Sequence, residues 1–466
     1  MTDKFDATVI GGGPAGYVCA IRLSQLGLKT ACIESRKTLG GTCLNVGCIP
    51  SKSLLNLSEN FSKAKNFQKL GIEIEGLKLN LDKMMLSKEK AVTNLTKGVE
   101  FLFKKNKIKY FQGTGSLKSK NSISIFDEKN NETLIESKNI ILCTGSEPLS
   151  LPGIKFDEEK IVSSTGALSL KKVPKKLVIV GGGYIGLEMG SVWSRLGSEV
   201  QVIEYLDHIT PGMDKEISME FMKILSKQGI KFNLKTKVKS IKKTKKNLII
   251  ETSDSNGKLD NIECDVVLVS VGRKPFTNKL NIENLGIEID KKGRIKVNNK
   301  FQTSISNIYA IGDVIDGPML AHKAEEEGIA VAEIIAGQSG HVNYEVIPGV
   351  IYTFPEVASV GKTEEQLKND NINYKIGKFP FIANSRAKAI DQQEGFVKIL
   401  ADSKTDKVLG VHIIGSHAGE MIAEMSVAME FGASSEDIAR TCHAHPTFSE
   451  AIKEAALSVD KRPIHS

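Results

Sequence analysis

Asp6-Ala7-Thr8-Val9-Ile10-Gly11-Gly12-Gly13-Pro14-Ala15-Gly16 opens the chain, and Leu177-Val178-Ile179-Val180-Gly181-Gly182-Gly183-Tyr184-Ile185-Gly186 repeats its plan. In each copy an apolar run enters Gly-x-Gly-x-x-Gly and then a helix-like segment that ends at a glycine, Gly27 or Gly197. A second apolar strand follows and ends in a glutamate, Glu34 or Glu204, at the same offset. One such motif alone is weak evidence. A strand before it, a helix after it and an acid about twenty residues on make it a dinucleotide-binding unit. The first glycine (Gly11, Gly181) permits the tight turn, and the second (Gly13, Gly183) lets a pyrophosphate approach the backbone. The third (Gly16, Gly186) lets the helix pack against the sheet. The pyrophosphate then rests on a helix N-terminus, where free N–H groups and the dipole favour negative charge. Glu34 and Glu204 are placed to accept hydrogen bonds from ribose hydroxyls. Glu204 would also repel a 2′-phosphate, and Tyr205, Leu206 and Asp207 offer no arginine to bind one. The second site is therefore expected to prefer NAD over NADP. Arg36 and Lys37 follow Glu34, so the first site is less clear on this point and suits a permanent cofactor better.

Just beyond the first unit comes Gly40-Gly41-Thr42-Cys43-Leu44-Asn45-Val46-Gly47-Cys48-Ile49-Pro50-Ser51-Lys52. The spacing of Cys43 and Cys48 allows one turn of helix to bring the two sulfurs within disulfide reach, in a local, strained and easily reduced pair. The bland alternative is two unrelated buried cysteines; the flanking glycines and the position after the fingerprint argue against it. A thiol pair beside a nucleotide cofactor is a means of passing two electrons between sulfur and that cofactor. Lys52, four residues after Cys48, shares its helix face. The other five cysteines are scattered, and no Cys-x-x-Cys or Cys/His cluster has zinc spacing, so neither a structural disulfide framework nor a metal site is expected.

At 466 residues the chain is long enough for about three domains. Its 41% hydrophobic and 25% charged content is that of a soluble globular protein. No apolar run has membrane-spanning length. The short polar N-terminus shows no targeting segment, which leads to the expectation of a cytoplasmic protein. The net charge of +8 is mostly lysine, as in Lys235-Thr236-Lys237-Val238-Lys239-Ser240-Ile241-Lys242-Lys243. That alternation suits strands with one wet face. No aromatic-rich basic patch accompanies it, so no nucleic-acid partner is expected.

Between the two fingerprints, a helix is predicted over roughly Leu86 to Lys105, with a hairpin tip at 127–131. Asn139-Ile140-Ile141-Leu142-Cys143 enters Thr144-Gly145-Ser146, and Asp265 to Val271 enters Gly272 in the same way. Ile308-Tyr309-Ala310-Ile311-Gly312-Asp313 is a further strand ending in glycine and an acid. From about Val346 the pattern becomes alternating strands and two helices, read as a separate domain.

The Gly40–Lys52 stretch, both fingerprints and Ile311-Gly312-Asp313 together resemble the flavin-dependent pyridine nucleotide–disulfide oxidoreductases. The resemblance runs the length of the chain. Gly317–Ala324, Tyr352–Ala358 and Cys442-His443-Ala444-His445-Pro446-Thr447 resemble the branch that reoxidises dihydrolipoamide. It implies an α/β fold with two Rossmann-like dinucleotide-binding domains and a C-terminal α+β dimerisation domain. The FAD-binding domain would comprise residues 1–150 and 276–345, the NAD-binding domain 151–275 and the interface domain 346–466. FAD would be tightly bound, one per subunit, and NAD+/NADH would occupy the second site. Glu34 would meet the adenosine ribose of FAD, Gly115 the nucleotide and Lys52 the flavin ring, with Glu188 as the partner of Lys52. Thr144, Gly145, Ser146 and Gly272 would line cofactor, and Asp313 would hydrogen-bond the ribityl or pyrophosphate portion. Met319, Leu320, Ala321 and His322 would open a helix aimed at the flavin, its dipole favouring negative charge on the reduced ring. His445 would be the acid–base residue, held by Glu450 and reaching the Cys43–Cys48 disulfide of the other subunit, which requires a homodimer. The proline after it keeps the backbone of His445 extended, and the family has this bond cis. His443 is read as structural. Thr42-Cys43 at a helix start, with nearby positive charge, would lower the Cys48 thiol.

The implied reaction is oxidation of protein-bound dihydrolipoamide to lipoamide with NAD+. The partners would be the lipoyl domains and core acyltransferase of 2-oxo acid dehydrogenase complexes, and the glycine cleavage system is a further candidate. Glutathione-type reductases use NADPH, which Glu204 disfavours. Mercury-type enzymes carry a C-terminal cysteine pair, and no cysteine follows Cys442. A soluble transhydrogenase would lack Cys43 and Cys48. A mainly structural subunit of a multienzyme complex is the alternative from another class, against which the intact Cys43, Cys48, His445 and Glu450 argue.

Overall fold

Residues 3–466 are described by a computed structural model of the chain. Its contacts form two units. One runs to Leu54 and includes 80–149 and 272–342; the other comprises 55–79, 150–271 and 343–466.

The first unit is built on β1 (Asp3–Ile10), α1 (Pro14–Gln25) and β2 (Thr30–Glu34). β1 pairs in parallel with β2 on one side and with Glu132–Leu142 on the other. Ile308–Ala310 adds in parallel beyond that strand, Lys109–Gln112 adds in parallel beyond β2, and two antiparallel strands complete a seven-stranded sheet. The central strands are buried on both faces, as parallel sheets demand, so Ala7, Val9, Ile10, Ile140, Ile141 and Leu142 form the core. α1 starts with Pro14 in its first turn, where no N–H is needed. It stops at Gly27, which takes a left-handed φ of +87°.

The second unit repeats the plan. Lys176–Val180 lies between Glu199–Ile203 and Val266–Val269 in a five-stranded parallel sheet, and the helix Tyr184–Leu196 follows the fingerprint. The matching glycines meet matching walls. Gly11 has φ +114° and a Cβ there would lie 2.2 Å from the Cys143 carbonyl oxygen; Gly181 has φ +104° and would meet the Ser270 carbonyl oxygen at 2.6 Å. A Cβ on Gly16 or Gly186 would collide with the carbonyl oxygen of Gly11 or Gly181 at 1.8 or 2.6 Å. Only glycine fits where helix, turn and last strand converge.

Three expectations are corrected. Cys43 and Cys48 do not share a helix turn: Cys43 lies in α2 (Gly41–Val46), and Cys48 opens α3 (Cys48–Ala64). Gly47 breaks the path with a non-helical φ of −139° and ψ of −113°, and a Cβ there would sit 2.8 Å from the Thr42 carbonyl oxygen. The helix predicted from Leu86 begins at Leu81, since the Asn80 side chain caps it by accepting the Lys83 N–H. The region after Val346 holds five helices around a five-stranded antiparallel sheet, not two. Three of them are short pieces (Glu364–Asn369, Ser385–Ala389, Ser435–Arg440) whose starts are set by Thr363, Asn384 and Ser434 caps. Cap chemistry leaves almost no hydrophobic period to read. Among the described residues no helix is long and apolar enough to cross a membrane.

Candidate active site

The two fingerprints end in equivalent hydrogen bonds. Glu34 Oε2 accepts the Gly12 N–H at 2.8 Å, and Glu204 Oε2 accepts the Gly182 N–H at 2.6 Å. The other oxygens accept N–H groups of Arg36 and Leu206, at 2.7 and 2.8 Å. Both acids therefore brace their own loops, a task the sequence reading did not assign. A carboxylate has about four acceptor positions, so Glu204, with one bond on each oxygen, keeps capacity for a ribose hydroxyl. Neither α1 nor the helix Tyr184–Leu196 has its N-terminus capped by a described side chain, and their N-cap residues are Gly13 and Gly183. A Cβ on Gly183 would meet nothing within 4 Å, and one on Gly13 only the Gly41 Cα at 3.7 Å. A helix N-terminus without a side-chain cap, over an open cradle, fits a pyrophosphate at each site.

A polar chain lies at the carboxyl ends of the first unit's strands. Ser146 Oγ donates to Asp313 Oδ2 at 2.5 Å and accepts from Arg273 Nε at 2.7 Å, while Arg273 Nη2 reaches the Ser146 carbonyl at 2.6 Å. Thr144 Oγ1 donates to the Phe276 carbonyl, and Gly145 takes φ +76°. Gly272, φ +124°, belongs to this unit with Arg273. Gly115 packs inward: a Cβ would meet Ile10 and Ile33 at 3.0 and 3.4 Å. Leu320 is the N-cap of the helix Ala321–Ile335; Met319 precedes it, and Ala321 and His322 form its first turn.

Cys43 and Cys48 are half-buried thiols in hydrogen-bond contact, so the pair fits a redox-active disulfide. The Cys43 thiol is pushed well above its ordinary value, first by the bond to Cys48, then by burial and the charges of Cys48 and Glu325; Lys52 opposes this. Glu325 also accepts the Tyr17 hydroxyl at 3.1 Å. Neither Glu325 nor Tyr17 stands out in the sequence, because no local motif links them to residue 43. Glu188 is buried, and its Oε1 accepts the Tyr352 N–H at 3.1 Å.

His445 Nδ1 lies 2.8 Å from Glu450 Oε1, and Glu450 Oε2 accepts the Thr447 N–H at 2.8 Å. The His445–Pro446 bond is cis. Glu450 is the first residue of the helix Glu450–Val459, where the dipole favours a carboxylate. Burial raises its proton affinity, but the Thr447 N–H and His445 outweigh it and hold the carboxyl below the usual range. His443 is bound differently, with Nε2 2.7 Å from Glu424 Oε1 and Nδ1 3.0 Å from the Thr441 carbonyl. The bond to Glu424 raises its proton affinity.

Comparison with known proteins agrees with this chemistry. The chain is 57% identical over 466 residues to "Dihydrolipoyl dehydrogenase, mitochondrial" of Pisum sativum, covering 100% of this chain and 93% of the relative. It is 58% identical to "Dihydrolipoyl dehydrogenase 1, mitochondrial" of Arabidopsis thaliana, covering 100% and 92%. Among solved structures, the Cu(II) complex of the HOCl-induced flavoprotein disulfide reductase RclA from Escherichia coli superposes with a TM-score of 0.88. It is 26% identical and covers 98% of this chain and 99% of that one. The relatives are named mitochondrial, which overturns the cytoplasmic expectation; a short polar N-terminus carries no information about compartment. Residues 347–456 match the family's dimerisation domain, which supports a homodimer, and the family's cofactors are FAD and NAD(H). Residues 5–328 match the family model described as pyridine nucleotide-disulphide oxidoreductase, so the chain belongs to the pyridine nucleotide-disulphide oxidoreductases.

Proposed function

We propose that the chain is a dihydrolipoamide dehydrogenase that passes electrons from protein-bound dihydrolipoamide through Cys43 and Cys48 and FAD to NAD+. The observation that carries this reading is the Cys43–Cys48 contact on the unit that holds the first fingerprint. Residues 1–150 and 276–345 would bind FAD, residues 151–275 NAD, and 346–466 the second subunit.

In the first step His445, supplied by a second copy of the chain, takes a proton from one substrate thiol, because the thiolate is the attacking species. The thiolate attacks Cys43, breaking the Cys43–Cys48 bond and releasing Cys48 as a thiolate. The second substrate thiol loses its proton and displaces Cys43, so one substrate disulfide forms as the protein's disulfide is lost. The raised proton affinity of Cys43 favours a proton there once the disulfide is reduced. FAD, when bound, supplies the two-electron relay from sulfur to nicotinamide. Glu34, Gly13, Ser146 and Asp313 are the residues that would hold it; Gly183 and Glu204 would hold NAD. The partners we propose are lipoyl domains and the core acyltransferase of a 2-oxo acid dehydrogenase complex.

The test is a visible spectrum of the purified protein with dihydrolipoamide-dependent reduction of NAD+ and NADP+. A yellow protein that prefers NAD+, and loses dihydrolipoamide turnover on Cys48→Ser, is expected. A colourless protein, or one that turns over only NADPH with glutathione, overturns the reading.

A further inference from the structure

Lys323 and Glu327 lie one helical turn apart on the helix Ala321–Ile335, with both side chains at 0% exposure and Nζ 3.1 Å from Oε1. Between them they grip a single residue. Glu327 Oε2 accepts the Gly312 N–H at 2.7 Å, and Lys323 Nζ donates to the Gly312 carbonyl at 3.2 Å. Gly312 has φ +75°, and a Cβ there would press on Ala15 of α1 at 3.3 Å and on Ala324 at 3.5 Å. The next residue is Asp313, which accepts the Ser146 hydroxyl at the carboxyl end of the strand Ile308–Ala310. Ligands of open α/β sheets bind at such strand ends.

Ordinary stability does not explain this pair. Lysine in the first turn of a helix opposes the helix dipole, and lysine preceding glutamate by four residues is the weaker order of that pairing. A fully buried ion pair also loses much hydration, and apolar replacements of both partners are often neutral or stabilising. What the pair does that an apolar pair does not is fix both backbone polar groups of Gly312 at once.

We propose that Lys323 and Glu327 are positioning residues for the flavin. They lock the Gly312–Asp313 turn in the conformation that presents Asp313 to the cofactor, at no benefit to the fold itself. The inference rests on the proposed place of Asp313 in the FAD site.

The test is the double variant Lys323→Met/Glu327→Gln, in which Gln still offers an acceptor to the Gly312 N–H and no buried charge is orphaned. FAD affinity is measured by titrating apoprotein, apoprotein melting by circular dichroism, and the flavin reduction potential by equilibration with reference dyes. The expected result is apoprotein melting as in the parent, FAD binding weaker by about tenfold, the size of a lost hydrogen bond to a charged group, and a displaced potential. Parental FAD affinity and potential in the folded variant overturn the proposal. Should the double variant not fold, the pair serves the fold itself and the proposal is overturned. Asp313→Asn separates the two levels. If it weakens FAD and the double variant does not, only the role of the pair falls. If Asp313→Asn leaves FAD binding unchanged, the assignment of the turn to the flavin site falls.

Discussion

His445 Nδ1 and Glu450 Oε1 are 2.8 Å apart, and the carboxylate is itself tied to the Thr447 N–H. A carboxylate at Nδ1 fixes the tautomer in which Nδ1 carries the proton and Nε2 is free to take one, as in a catalytic triad. Glu450→Gln is expected to lower kcat for dihydrolipoamide by about 10²-fold and His445→Ala by about 10²–10⁴-fold, the range of general base catalysis. NADH oxidation by an acceptor that draws electrons directly from the flavin should stay near parental. Both rates are read by steady-state spectrophotometry, and an equal loss in both would show that the dyad is structural.

Glu325 adds negative charge near Cys43, and a nearby anion disfavours a thiolate. Glu325→Gln should therefore make Cys43 of the reduced protein more acidic. Its alkylation by iodoacetamide at fixed pH should speed up by about fivefold, roughly 1 kcal/mol. Peptide mapping of the modified protein measures this; slower alkylation would contradict it.

Glu204 braces the second fingerprint through Gly182 and Leu206. Glu204→Gln keeps the shape and one acceptor oxygen while removing the charge that repels a 2′-phosphate. The ratio of kcat/KM for NAD+ over NADP+ should fall by about tenfold or more, the size of 1.4 kcal/mol. Paired kinetics with the two nucleotides check it.

Lys398 is fully buried, with Nζ 3.1 Å from both carboxylate oxygens of Asp214 and 2.7 Å from Glu364 Oε2. Lys398→Met orphans these carboxylates and should cost about 3–5 kcal/mol of stability, visible as a lower Tm. Burial raises both carboxyls, but stronger effects hold them down. His412 and Lys398 lower Asp214. Lys368, Lys398 and Tyr374 bring Glu364 to about 2. Folded values below the unfolded ones stabilise the protein above the ordinary carboxylate range, and that stability is lost as pH falls toward about 2. Calorimetry between pH 5 and pH 2 should show a falling Tm in the parent and a shallower fall in Lys398→Met.

The duplicated fingerprint was legible because its requirements are local. Gly11 and Gly16 face carbonyl oxygens at distances that no side chain survives, so the motif appears wherever the strand–turn–helix does. His445 and Glu450 were legible for the same reason, being five residues apart. The short helices after Val346 were not, since caps rather than an apolar period define them. Nor was the break between Cys43 and Cys48, which depends on the non-helical backbone angles that Gly47 takes.

By itself, the sequence determined the two glycine turns with their bracing glutamates and the thiol pair, all set by residue type at short spacing. Tertiary structure alone decided that Tyr17 and Glu325 stand near Cys43, that Lys398 meets Asp214, and that Lys323 and Glu327 close on Gly312. In the first two of these, side chains far apart in the chain meet only after helices and sheets have packed. In the third, a common helix spacing becomes a clasp only once a distant strand delivers its turn between α1 and the helix Ala321–Ile335.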